Sequence, residues 1–280
     1  MRIKFSRTYL ALVLALGCTS SALANNYFLK LDTQLTNEAD IKGTNSNVQN
    51  SSFGFILGGS YNDIDYSVEY KRSEYDFSGS YEPFDALNKI AFDFSQDLSL
   101  SSHLQLYYGL NLGALFESSL ALSDSYSISP RAALGWNFYR NMTAYLGAYA
   151  NLNAADNVFL PIVGLKIGNN SDMGWTGSIA YPETKLQYRF NRSLSADITY
   201  LTVRDTYYID SSYGDAYFRE ESQGASIGAT YNFTPKMHLS GGVFGYFDRE
   251  LKFYNGSGDE IGTLDVDNNV GAYARFTFAF

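Results

Sequence analysis

The last stretch of the chain alternates without a break. Val270, Ala272, Ala274, Phe276, Phe278 and Phe280 share one face; Gly271, Tyr273, Arg275, Thr277 and Ala279 share the other. Period two with one wholly apolar face predicts a strand. Such a strand suits a closed sheet whose outer surface meets lipid, with apolar side chains out and polar ones in. The same rhythm recurs upstream. In His103–Gly113, Leu104, Leu106, Tyr108, Leu110 and Leu112 oppose Gln105, Tyr107, Gly109, Asn111 and Gly113. In Ile64–Arg72, Tyr66, Val68 and Tyr70 oppose Ser67, Glu69 and Lys71.

Taken along the chain, the alternation predicts fourteen strands: Tyr27–Leu35, Ser52–Tyr61, Ile64–Arg72, Leu87–Ser95, His103–Gly113, Ile128–Phe138, Met142–Leu152, Val158–Gly168, Gly174–Tyr181, Thr184–Phe190, Leu194–Val203, Gln223–Phe233, Met237–Phe247 and Asn269–Phe280. Most reach eight residues or more, approaching the 9–11 of a tilted transmembrane strand and exceeding the 5–6 of a soluble sheet. Connections alternate in length. Asn62-Asp63, Tyr139–Asn141, Asn169–Met173, Asn191–Ser193 and Thr234–Lys236 are short, whereas Thr36–Ser51, Ser73–Ala86, Phe116–Ser127, Arg204–Ser222 and Asp248–Asn268 are long loops. Short periplasmic turns and longer outside loops produce this asymmetry in an up-and-down barrel. Tyr181-Pro182-Glu183 is the weak point: if Trp175–Phe190 were one kinked strand, the barrel would have twelve.

The start of the chain carries a second address. Arg2, Lys4 and Arg7 precede an apolar run, Tyr9–Gly17, and Ala22 and Ala24 form a small-x-small cleavage site. Residues 1–24 are therefore expected to be a signal peptide, and 25–280 one barrel domain of about 256 residues. The apolar run is about half the ~20 residues of a spanning helix. Cys18, the single cysteine, follows a loose lipobox and leaves acylation as a rival reading. Cleavage after Ala24 leaves no thiol for disulfides or catalysis.

Composition supports a barrel: Tyr 24, Phe 20 and Gly 24 against Pro 5. Aromatics suit the girdles where a barrel meets the two membrane interfaces. The net charge of −9 argues against nucleic acid, which needs basic stripes. Much of the acid lies in the outer loops, which read as solvated or as contacts to lipopolysaccharide. Loop Asp205–Glu221 mixes tyrosine with acid and reads as an exposed contact surface.

Candidate chemistry is sparse. His103 and His238, the two histidines, each open a strand after a short turn, which is the wrong end for a lipid hydrolase facing the outer leaflet. No metal-ligand spacing and no phosphate loop occurs, so no cofactor and no enzyme activity are expected. The interior says more. The alternation turns Lys30, Lys71, Lys89, Arg131, Lys166, Lys185, Arg189 and Arg275 inward with Asp32, Glu69, Asp93 and Asp197. Such charges need water or paired networks, so they line either an aqueous path with mild anion preference or a salt-bridged plug. Inward Gly109, Gly113, Gly135 and Gly228 leave room for either.

From Ser129 onward the chain resembles a family of uncharacterised Gram-negative outer-membrane β-barrel proteins, a domain of unknown function. The carrying segments are SPRAALGWNF (Ser129–Phe138), LPIVGLKIG (Leu160–Gly168), the Trp175 strand through Tyr181-Pro182 to KLQYRF (Lys185–Phe190), and YFDRELKFY (Tyr246–Tyr254). Glu183 stands where members often carry a second proline or an arginine. The resemblance covers about half the chain, implies a barrel in the outer membrane, and supplies no substrate or site residue. Phe276, Phe278 and Phe280 further resemble the C-terminal signal read by the barrel-assembly machinery.

The leading expectation is a monomeric outer-membrane barrel acting as a narrow, weakly selective channel for small solutes. The alternative is a non-conducting structural or interaction barrel whose outer loops contact lipopolysaccharide or a partner. A lipid-modifying enzyme is disfavoured.

Overall fold

In a computed structural model, residues 26–79, 82–139, 141–168, 172–211 and 214–280 are described. The expected signal peptide, with Cys18, Ala22 and Ala24, lies outside them. Sixteen strands follow in order: β1 (Asn26–Thr36), β2 (Ala39–Asp40), β3 (Asn47–Tyr61), β4 (Ile64–Phe77), β5 (Ala86–Ser99), β6 (Leu104–Phe116), β7 (Tyr126–Tyr139) and β8 (Met142–Asn153). They continue as β9 (Val158–Ile167), β10 (Gly174–Tyr181), β11 (Glu183–Arg189), β12 (Leu194–Ser211), β13 (Gly214–Thr234), β14 (Met237–Asn255), β15 (Glu260–Val266) and β16 (Asn269–Ala279).

Fourteen of them close an antiparallel barrel; β2 and β15 stand above β1 and β16. Closure is made by β1, which pairs β3 on one side and β16 on the other, from Phe28↔Ala279 to Thr36↔Gly271. Every strand in the membrane thus has two partners, the only sheet arrangement that satisfies backbone polar groups in lipid. The twelve-strand alternative fails at the predicted weak point. Trp175 pairs Tyr188 and Ser178 pairs Lys185, so β10 and β11 are separate strands hinged at Pro182. At the tight end between β3 and β4, Asn62 and Asp63 take φ of 51° and 63°, the left-handed pair that a two-residue hairpin turn requires.

The outward positions form a continuous apolar belt. Leu57, Val68, Phe92, Leu134, Leu146, Val163, Ile179, Ile198, Ile227, Val243 and Val270 are all exposed, on strands right around the wall. A patch of this extent is untenable in water and marks the lipid-facing surface. Near the short turns, hereafter the inner end, Tyr61, Trp136, Phe138, Trp175, Phe190, Tyr231 and Phe233 form an aromatic girdle.

The outer end departs from the expected loops. Segment Arg204–Ser222 is a continuation of the β12–β13 hairpin, paired from Arg204↔Glu221 out to Ser211↔Gly214. Between Gln223↔Phe247 and Glu221↔Glu250, β14 carries one residue more than β13, a β-bulge in which Asp248 has φ of 49°. A bulge bends its strand and increases the local twist. Beyond it β12 reaches across the mouth, and Tyr208 bridges to Phe116 of β6 in parallel. On the other flank Ile41 bridges Val266, linking β15 to β2. A second, smaller ring results, closed through β2–β6 and β12–β15; β7–β11 end below it.

Candidate functional site: the lumen and its outer cap

The smaller ring is filled. Its inward side chains, among them Val48, Tyr75, Phe77, Phe84, Leu87, Phe218, Leu251 and Phe253, make one apolar core. The ring centroids of Phe84 and Phe218 are 4.5 Å apart, and Phe218 is 0% exposed. The bulge decides who enters this core: below it Phe244 and Tyr246 alternate with the lipid-facing residues of β14, whereas above it the inward set is Arg249, Leu251 and Phe253. The described aromatic residues of segment Asp205–Glu221 are therefore not an exposed contact surface. Tyr207, Tyr208, Tyr217 and Phe218 are all buried in it.

Under the apolar core lies a polar floor. Glu220 accepts from the Tyr75 hydroxyl at 2.7 Å and from Arg249 Nε at 2.8 Å. Burial, and the Glu220 carboxylate beside it, push the Tyr75 phenol far above its ordinary value. One layer further in, Lys89 lies 3.6 Å from Glu69 and 3.9 Å from Asp205, a contact that joins β5 to β12 across the lumen. Arg131 binds Asp93 with both guanidinium nitrogens, at 2.9 and 2.7 Å, and donates through Nε to Tyr107 at 2.7 Å. Such forked pairs are the strong ones.

The outer face of the ring leans on the rims of β6–β9. Tyr208, Tyr217 and Tyr254 pack against Ala121, Ala154 and Ala155. Arg219, 3% exposed, donates to Asp156 at 3.0 Å and to Thr206 at 2.9 Å, with its guanidinium 5.0 Å above the Tyr254 ring. Between Leu201, where β11 pairing stops, and Tyr208, where β6 begins, β12 has β13 on one side and no other strand partner among the described residues.

The sequence-predicted interior residues fall into two groups. Glu69, Lys89, Asp93 and Arg131 are brought together in the ion pairs above. Lys30, Asp32, Lys71, Lys166, Lys185, Arg189, Asp197 and Arg275 stand at the positions the register assigns them, in phase with those four or on neighbouring strands. Further inward carboxylates escaped the sequence reading, Glu220 of the polar floor among them. Asp65 shares the phase of Glu69, Asp97 that of Asp93, and Asp205 that of Asp197, the last two lying beyond the expected strand ends. They bring the inward carboxylates close to the cations in number, so selectivity depends on which charges are paired and where. The inward glycines are not vacant either. A Cβ on Gly109 would lie 2.9 Å from the Arg131 guanidinium and one on Gly135 2.8 Å from the Tyr145 ring; the Tyr273 hydroxyl occupies the space at Gly228.

At the inner end a cavity of about 570 Å³ is lined by Ser102, His103, Gln105, Asn137, Thr143 and Lys166, among others. Ser102 Oγ lies 2.8 Å from His103 Nδ1. Both residues are exposed, and among the described residues no carboxylate stands behind the imidazole, so the pair lacks the orienting partner of a hydrolytic triad.

No family model matches the chain, and no curated protein sequence does. Among solved structures it is similar to an outer-membrane channel from Pseudomonas putida F1, at 10% identity, 91% of this chain, 95% of that one and a TM-score of 0.46. It is similar also to the NanC porin (9% identity, 86% and 98% covered, TM-score 0.37) and to the Pseudomonas putida toluene transporter TodX (13%, 91% and 89%, TM-score 0.38). With TM-scores below 0.5, none of these likenesses bears on what this barrel carries.

Proposed function

We propose that the protein is a monomeric bacterial outer-membrane channel passing small solutes through a charged, hydrated lumen. In this reading residues 1–24 are a leader removed after Ala24, Phe276, Phe278 and Phe280 serve recognition by the assembly machinery, and the short turns and the inner cavity face the periplasm. The observation that carries the proposal is the interior itself: ionisable side chains of β4, β5, β7 and β12 pair below the cap, and such groups are held in a membrane by water and mutual pairing. The filled ring obstructs the outer mouth on its own axis. Passage therefore runs beside it, along the free edge of β12 over the lower rims of β7–β11, where Arg219–Asp156 and the three tyrosines form a latch.

Planar-bilayer recording tests this. Wild-type protein should give small discrete steps. A disulfide introduced as Tyr217→Cys with Ala155→Cys should silence them until reductant is added. A second reading, a non-conducting barrel that serves as a surface or structural element, is favoured by the dry core of the ring. Silence of wild type and of Asp156→Ala at high protein load would put that reading in place of the first.

A further inference from the structure

The wall is notched between β9 and β12. β10 pairs β9 only from Gly177↔Ile167 up to Tyr181↔Val163. From Ile162 to Val158, β9 therefore has β8 on one side and, among the described residues, no strand on the other. β12 faces it with the stretch Thr202–Tyr207, which has β13 on one side alone. Tyr181-Pro182-Glu183 forms the sill. Above it, Ala154 and Ala155 meet the three tyrosines of the latch and Asp156 holds Arg219 at 3.0 Å, so the latch is a lintel. With β10 and β11 ended below, three strand spacings separate the two jambs, about 14 Å from backbone to backbone. Proline within sheets is confined to edges and bulges, and Pro161 stands in the free stretch of β9.

Strand length puts this notch within the lipid. From Trp175 in the inner girdle to Tyr181 at the sill, β10 climbs roughly 20 Å along the strand, or roughly 15 Å of height at a tilt of about 40°. The apolar band of such a barrel is about 25 Å tall, so the sill lies roughly 10 Å short of its outer margin. Unpaired backbone at that depth is tolerated only where it is buried in protein or lines a watery cavity. The jambs are also apolar on both faces. Phe159, 73% exposed, faces out. Leu160 and Ile162 share the inward phase of Lys166, and Leu201 and Val203 that of Asp197. An intact wall is apolar outside and polar inside; apolar side chains on both faces suit a body that moves from one to the other. Asp205, on the β12 jamb, lies 3.9 Å from Lys89, so the ion pairs of the lumen begin directly behind the notch.

We infer that the notch is a lateral window through which a small amphipathic solute, one polar group on an apolar body, passes between the lumen and the outer leaflet. The traffic rests on the proposed passage; the window is measurable without it.

The experiment is quenching of a bimane label by doxyl-labelled phosphatidylcholine in reconstituted vesicles, beside bilayer recording on the same preparations. Cys18, the single cysteine, lies in the expected leader, so single-cysteine variants label at one place. Val203→Cys reports the jamb. Ser226→Cys, inward on β13 where the wall is paired on both sides, and Ile227→Cys, facing lipid, are the two references. Each is verified as folded by heat-modifiable gel migration, and Leu160→Cys replaces Val203→Cys should that variant not fold. Quenching at the jamb should approach that at Ile227 and exceed that at Ser226 severalfold; quenching no greater than at Ser226 overturns the window. Octanoate should shield the jamb label, whereas acetate, the same carboxylate without the tail, should not. Shielding by both, or by neither, overturns the solute class. Jamb quenching with silent bilayers keeps the window and overturns passage; conductance with a protected jamb does the reverse.

Discussion

Tyr208 of β12 and Phe116 of β6 are parallel neighbours in a sheet whose other pairings are antiparallel, and the Glu117 amide donates to the Tyr208 carbonyl at 3.0 Å. Strands from distant parts of the wall meet there, closing the smaller ring. Glu117→Pro removes that donor and should cost about 0.5–1.5 kcal/mol locally. Hydrogen exchange should quicken at residues 206–209 and leave the belt of β13 unchanged. Equal protection in both proteins would show that the bridge does not hold the ring closed.

The ring core should be separable from the barrel. Phe218→Ala removes the centre of the aromatic cluster and should destabilise the ring by about 3–5 kcal/mol. The membrane wall does not rest on Phe218, so the variant should still insert and still migrate as a heat-modifiable band, while near-ultraviolet dichroism loses its tyrosine signal. Failure to insert would mean that ring and wall fold as one unit.

In the lumen, Arg131→Glu places a carboxylate beside Asp93 where a forked pair stood. Reversal potentials in a salt gradient should move towards cation preference, and Lys89→Glu should do the same. An unchanged potential in both would place the conducting path away from these residues.

The outer face of the ring should respond to acid. Burial alone would raise the Glu221 carboxyl; the hydrogen bond from Lys252 and the charges of Arg204, Lys252 and Arg219 overcome it and hold Glu221 below the ordinary range. The unfolded chain therefore takes up this proton at higher pH than the folded protein. The resulting stability is fully present above the ordinary value of 4.5 and is lost as pH falls through the folded one. The melting difference between wild type and Glu221→Gln should accordingly be largest near neutrality and shrink below pH 4.5. A difference independent of pH would place the effect elsewhere.

The wall was legible because lipid on one side and polar groups on the other enforce strict alternation, as along Leu104–Leu112 and Val270–Phe278. Even the β10–β11 hairpin at Pro182 stood at its expected place. The outer ring was not legible, for two physical reasons. Outside lipid, β12–β14 bury both faces, so Tyr207 and Tyr208 are both apolar neighbours and the period disappears. The bulge at Asp248 then shifts β14 by one residue, and Arg249, Leu251 and Phe253 enter a core that unbroken alternation would deny them.

Three of the strands that form the upper ring, β12, β13 and β14, run on without a break into the membrane wall. The cap has no joint that isolates it from the bilayer. A thinner or more curved membrane that changes the tilt of β12–β14 must swing their outer ends against the rims of β6–β9. Bilayer thickness is thereby an input to the latch, transmitted by backbone as through a stiff lever.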